Sequence, residues 1–189
     1  MAKQLKIAML CLALLVVVFG VVVGISYLPR RVQQDFYGLE LLMIGNGEYE
    51  ILQTMNVSID GKVRYGMFAK YPWFDGSIEV SAYYFTLDNP NLSIPFINGF
   101  AMGGPMMHPV LTNLGSTRIE TLGIIYTNKG FTSLVIHITE WVYLGGGSSQ
   151  GQQGNRLIIA PTIDTNIALE LLHLYGFRWI DGFGMVHQS

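Results

Sequence analysis

The chain carries a single cysteine, Cys11, and it lies inside an apolar N-terminal run. That excludes an intrachain disulfide, a zinc site of paired cysteines and a thiol nucleophile downstream of the run. Charge is scarce too. Asp, Glu, Lys and Arg make up 13% of the 189 residues, where soluble domains carry about a quarter. Beyond Arg31, seven basic residues stand against thirteen acidic ones, a net charge of −6. With no basic stripe, nucleic-acid binding is excluded, and an acidic surface does not adhere to anionic lipid. There is no G-x-S-x-G elbow, phosphate loop or dinucleotide fingerprint. Histidine, the usual acid/base near neutral pH, occurs four times, with no partner at a suggestive spacing.

What is present begins with residues 7–28, IAMLCLALLVVVFGVVVGISYL, which hold no charge. At about 1.5 Å per residue the run reaches roughly 33 Å, enough for a bilayer core. A signal peptide has a shorter apolar centre and a small-x-small cleavage site. This run ends instead in Ser26-Tyr27-Leu28-Pro29-Arg30-Arg31, so residues 1–31 read as an uncleaved single-pass anchor. Lys3 and Lys6 before it nearly balance Arg30 and Arg31 after it, which leaves the positive-inside rule undecided. Two sequons, Asn56-Val-Ser58 and Asn91-Leu-Ser93, favour a domain outside the cytoplasm and mark Asn56 and Asn91 as candidate glycosylation sites.

Residues 32–189 use Gly, Tyr, Phe, Thr and Ser in the manner of strands and turns. Tyr49, Ile51, Met55, Val57 and Ile59 fall on one strand face, with Gln53 as the exception. Asp60-Gly61 suits a type I′ turn, and Val63, Tyr65, Met67, Ala69 and Tyr71 alternate after it. The pattern predicts a hairpin turning at Asp60-Gly61. Pro72 to Gly76 reads as a break and 77–87 as a strand, with shorter strands at 94–102 and 107–113, further strands at 118–126 and 156–163, and 131–144 as either one long strand or a helical turn followed by a strand. GGGSSQGQQG, residues 145–154, has no apolar side chain and reads as a flexible loop. Ile167, Leu171 and Leu174 follow helical spacing over 166–175, with Thr165 as N-cap and Gly176 as stop. A last strand follows. The whole is mostly β, an antiparallel β-sandwich behind one transmembrane helix.

Three groups of residues invite chemistry. Met102, Met106 and His108 offer the thioether and imidazole ligands that suit Cu(I). Methionine also fills gaps in cores, and the adjacent Met106 and Met107 point to opposite faces of a strand. The carboxylate pairs Glu48/Glu50 and Glu79/Asp88 resemble glycosidase pairs in type, but strands present such charges to solvent as a matter of course. Trp73-Phe74, Tyr83-Tyr84-Phe85, Trp141, Tyr143, Phe177 and Trp179 suit a stacking surface or, more simply, core and cross-strand pairs. No residue earns a catalytic assignment.

Between Val80 and Leu144 the order is a strand, Asp88-Asn89-Pro90-Asn91, Leu92-Ser93-Ile94-Pro95, a second strand, Gly115-Ser116-Thr117, a β stretch, then Phe131-Thr132-Ser133-Leu134. This resembles the water-stress and hypersensitive-response domain of the group-two late embryogenesis abundant proteins. The resemblance covers about a third of the chain. It implies a β-sandwich, often tethered by an N-terminal helix, in a small envelope protein without enzymatic activity. The Gly103-Gly104-Pro105 insert, residues 145–154 and the extension beyond Asn166 depart from it.

Three functions fit these features. The first is a membrane-anchored extracytoplasmic β domain with a structural or binding role, not an enzyme, serving as accessory subunit of a membrane complex. It needs no cofactor. Its partners are the bilayer, through 7–28, and other membrane or envelope proteins. The second is a filament subunit assembled by strand addition, donating residues 36–44. The third is a copper-binding envelope domain.

Overall fold

The computed structural model describes residues 2–26, 28–45, 48–64, 72–88, 91–96, 103–111, 117–145, 148–180 and 184–187. The uncharged run forms α1 (Ala2–Ser26), a 25-residue helix. Its described side chains lie within 9–24 and are apolar and, apart from the half-buried Val23, exposed, Leu10 at 72% and Phe19 at 69%. Among the described residues no helix is long and apolar enough to cross a membrane.

Eight strands then make one antiparallel sheet. They are β1 (Arg30–Gly45), β2 (Glu48–Arg64), β3 (Trp73–Val80), β4 (Asn91–Pro95), β5 (Gly104–Leu111), β6 (Thr117–Thr127), β7 (Leu134–Gly145) and β8 (Ser148–Ala160), in the order β4-β3-β2-β1-β8-β7-β6-β5. The expected mostly β, antiparallel character holds. Where two stacked sheets were expected, a single sheet curls until its edge strands β4 and β5 come together. Accumulated right-handed twist between chain neighbours drives such closure. Gly104 permits the last approach: a Cβ there would sit 2.3 Å from Ile94 Cγ2 and 2.9 Å from the Pro95 carbonyl.

Several local expectations give way to long-range pairing. Asp60-Gly61 is no turn. β2 runs straight through it, pairing Asp60 with Gln33 and Gly61 with Val32 on one side, and with Ser77 and Gly76 on the other. Gly61 is there for space, since a Cβ would lie 2.6 Å from both the Phe74 ring and the Asp75 carbonyl. Trp73 to Gly76, expected as a break, belongs to β3, and residues 84–88 form α2 (Tyr84–Asp88) instead of strand. The polar run expected as a loop is the tip of the β7–β8 hairpin. Its residues 148–153 pair with 139–145, so backbone hydrogen bonds replace the missing apolar contacts.

Alternation along the strands builds two cores. Met55, Val57, Ile59, Ile78, Ile136 and Ile158 face into the closed sheet. At the end where β1 leaves α1, Phe131 plugs the interior, its ring 5.3 Å from Phe74 and 5.8 Å from Phe96. Its φ of 53° is a left-handed conformation, held by Asn128, whose Oδ1 accepts from the Gly130 and Thr132 amides. The second core lies outside the sheet. There Leu39, Leu41, Val135, Leu157 and Ile159 are covered by α3 (Thr165–Leu174) and by the ribbon of β9 (Phe177–Ile180) and β10 (Gly184–His187). The cap of α3 is Asp164 rather than Thr165, its carboxylate accepting from the Asn166 and Ile167 amides, and Gly176 ends the turn with φ of 77°. Ala168 and Leu172 face the sheet, while Ile167 and Leu174 of the expected apolar stripe are exposed.

Asparagine tolerates the left-handed backbone of a type I′ turn, so Gly61→Asn would be nearly neutral in a turn. In a strand beneath Phe74 it should cost about 1–3 kcal/mol by overpacking. Chemical denaturation of the two chains checks this, and equal midpoints would return Gly61 to a turn.

Candidate functional site

The one polar residue on the inward face of β2 leads to the densest polar cluster. Gln53 Nε2 donates to Glu40 Oε2 at 2.7 Å. Tyr83 Oη donates to Glu40 Oε1 at 2.8 Å, and Arg156 Nε donates to the same oxygen at 2.9 Å. Arg156 Nη2 also pairs with Glu40 and donates to Tyr83 Oη at 3.2 Å. Four segments meet here: β1, β2, β8 and the turn ahead of α2. Glu40 is fully buried, whereas the Arg156 side chain keeps 34% exposure. Four donors satisfy the carboxylate where an unpaired buried charge would be intolerable. Tyr83 and the partly buried Phe85 bring the α2 segment down over the interior, and Thr86 Oγ1 ties it to Val80 by accepting from its amide at 2.9 Å. The cluster is thus a clasp that closes the end of the sheet remote from α1. With four donors on its two oxygens, the Glu40 carboxylate is poorly placed to take a proton from a substrate.

A second buried polar group lies on the outer face. His137 is fully buried on β7. Its Nε2 stands 2.6 Å from the Gly154 carbonyl, a contact that requires the proton on Nε2. Nδ1 then carries the lone pair, and it has no hydrogen-bond partner among the described residues. Burial pushes the His137 pKa below the ordinary histidine value, with the Gly154 contact working the other way and His187 adding to the depression. Nearby, Tyr175 Oη donates to the Ser133 carbonyl at 2.8 Å, and burial raises its pKa.

The residues proposed from sequence fare differently. Met106 is buried in the inner core and Met107 is exposed, as opposite faces of β5 demand. His108 stands on β5 opposite Glu120, with its side chain outside the described set. Met102 lies outside the described residues altogether. Of the three proposed ligands, only the Met106 side chain therefore lies within the described set. Among the described residues there is no group of three or more His, Cys, Asp or Glu able to hold a metal ion. Asn56 is exposed on β2, its amide bonded to Ser81 Oγ at 3.0 Å. Asn91, expected in a turn, is the exposed first residue of β4. Glu48 and Glu50 are exposed on the β1–β2 hairpin, Glu79 is half-buried on β3, and the Asp88 side chain is outside the described set. Tyr83 joins the clasp, Phe85 and Phe177 pack in the cores, and Trp73 and Tyr84 are exposed. The side chains of Trp141, Tyr143 and Trp179 lie outside the described set.

Glu40 and Arg156 escaped the sequence reading. The available signal was a pair of exceptions: a carboxylate inside Leu39-Glu40-Leu41-Leu42, and Gln53 in an apolar row. Compared with protein-family models, curated proteins and solved structures, the chain finds no match in any of the three.

If the cluster is a clasp, Arg156→Met strands a buried carboxylate and should cost about 3–5 kcal/mol, whereas replacing Glu40 and Arg156 together by Met should restore most of it. Tyr83→Phe should cost about 1 kcal/mol. Urea melts of the four chains measure this. An Arg156→Met chain as stable as the parent would remove the clasp.

Proposed function

We propose that the chain is a membrane-anchored extracytoplasmic β domain that acts by contact, as an accessory subunit of a membrane complex, and not as an enzyme. The observation that carries this is the apolar surface left open at the end remote from α1. There Ile44, Tyr49, Ile51 and Leu52 of the β1–β2 hairpin keep 59%, 36%, 51% and 38% of their surface exposed. β1 begins beside α1 at Arg30 and ends in this tip after 16 residues, so the two lie roughly 50 Å apart at about 3.3 Å per residue. Clustered exposed apolar side chains favour an interaction surface. α1 supports the anchor, because a helix apolar on all sides suits lipid or a protein interior and not water. The exposed Asn56 and Asn91 support the extracytoplasmic side, and the likeness to water-stress envelope proteins supports a role without catalysis. Strand donation has less in its favour, because residues 36–43 already pair with β2 and residues 39–42 also with β8.

A photo-crosslinking residue at Ile51 of the full chain in its own membrane should give a discrete adduct, and one at the more exposed Ile119 should not. An epitope inserted between Gly146 and Gly147 should be removed by protease added to intact cells. Absence of any adduct from position 51 overturns the contact reading, and an epitope cleaved only after lysis overturns the orientation.

A further inference from the structure

We propose that the β9–β10 ribbon is a latch on the outer face of the sheet that opens when its surroundings turn mildly acidic. The ribbon forms its own two-stranded sheet, with no ladder to the eight-stranded one among the described residues. Side chains hold it down. Phe177, 1% exposed, meets Tyr126 at 5.0 Å and His137 at 5.5 Å between ring centroids. His187 stacks on Tyr126 at 4.4 Å and meets Phe177 edge-on at 5.3 Å. Two of the four rings that fasten the ribbon are therefore imidazoles.

A proton arriving at His137 must settle on Nδ1, because Nε2 already donates to Gly154. The new N–H would find no acceptor among the described residues, and the cation would sit in an aromatic cluster close to a second histidine. The packed elements offer little relief. β6 supplies Tyr126, α3 is followed by Tyr175, whose hydroxyl is engaged with Ser133, and Arg156 of β8 is engaged with Glu40. Glu170, His173 and Arg178 are exposed. Opening the ribbon hydrates both imidazoles and bares Tyr126 and Val135.

The sign follows from the depressed pKa of His137. The docked state is the one that resists protonation. Its advantage is fully present above the unfolded value of about 6.5 and is lost as pH falls from there through the lower folded value.

Amide exchange in the full chain, corrected for its intrinsic pH dependence, reads the latch at residues 177–180 and 184–187, with 134–138 as reference. Between pH 8 and pH 5 the opening constant of the ribbon should rise below about pH 6.5, by up to about tenfold per pH unit, while the reference changes little. His137→Gln, which retains a donor for Gly154 and takes no charge, should flatten the profile. A variant profile as steep as the parent's overturns the proposal, as does a parent ribbon that follows the reference. Should the variant not fold, the NMR titration of His137 in the parent decides. A ring that protonates at or above the ordinary value while the ribbon stays protected rules the latch out.

Discussion

The fold depends on the seam between its first and last main strands. Every other neighbouring pair in the sheet is a hairpin or near-hairpin joining chain neighbours. β1 and β8 are more than a hundred residues apart in the chain and share four residue pairs, Leu39–Leu42 against Arg156–Ile159. Both faces of this short ladder reinforce it. On the inside, Glu40 and Arg156 form an ion pair across the seam itself. On the outside, Leu39, Leu41, Leu157 and Ile159 gather under α3 and the ribbon. A non-local ladder this short must be stabilised by its side chains, because closing a loop of that length carries an entropic cost that four backbone pairs alone offset poorly.

Closure has consequences for function. Among the described residues, Phe131 at one end and the Tyr83 segment at the other bound an interior of buried apolar side chains. The exterior carries the exposed apolar groups. Among the described residues, the β1–β2 hairpin leaves Ile44, Tyr49, Ile51 and Leu52 exposed at the end away from α1, where the sheet holds them at a fixed distance from the start of β1. A domain with a buried apolar interior and an apolar tip is suited to contact, and that is the physical basis for the proposed role as an accessory subunit.

Much of the strand content was legible from alternation. Residues 55–59 show a period of two because Met55, Val57 and Ile59 meet a core while Asn56 is exposed, and Gly176 was recognisable as a stop because its positive φ suits glycine. Other features depend on partners far along the chain. Asp60-Gly61 has the composition of a tight turn, yet Gly61 is selected by the Phe74 ring on the neighbouring strand, which no local window contains. Residues 148–153 lack apolar side chains, yet pairing with 139–145 satisfies their backbone. The clasp was legible only as anomalies. Glu40 and Gln53 broke two apolar rows, and nothing local placed Arg156 or Tyr83 beside them. His137, by contrast, sits in an apolar run that announced burial but not the lone pair left without a donor.

The central claim is that one sheet closes through β1 and β8, carrying the clasp and orienting the tip. Backbone nuclear Overhauser contacts between residues 39–42 and 156–159 test it most directly. The account predicts antiparallel cross-peaks linking Glu40 with Ile158 and Leu41 with Leu157, alongside those of the β1–β2 and β7–β8 hairpins. Hairpin cross-peaks without any between β1 and β8 would contradict it, and would leave two separate sheets in place of one.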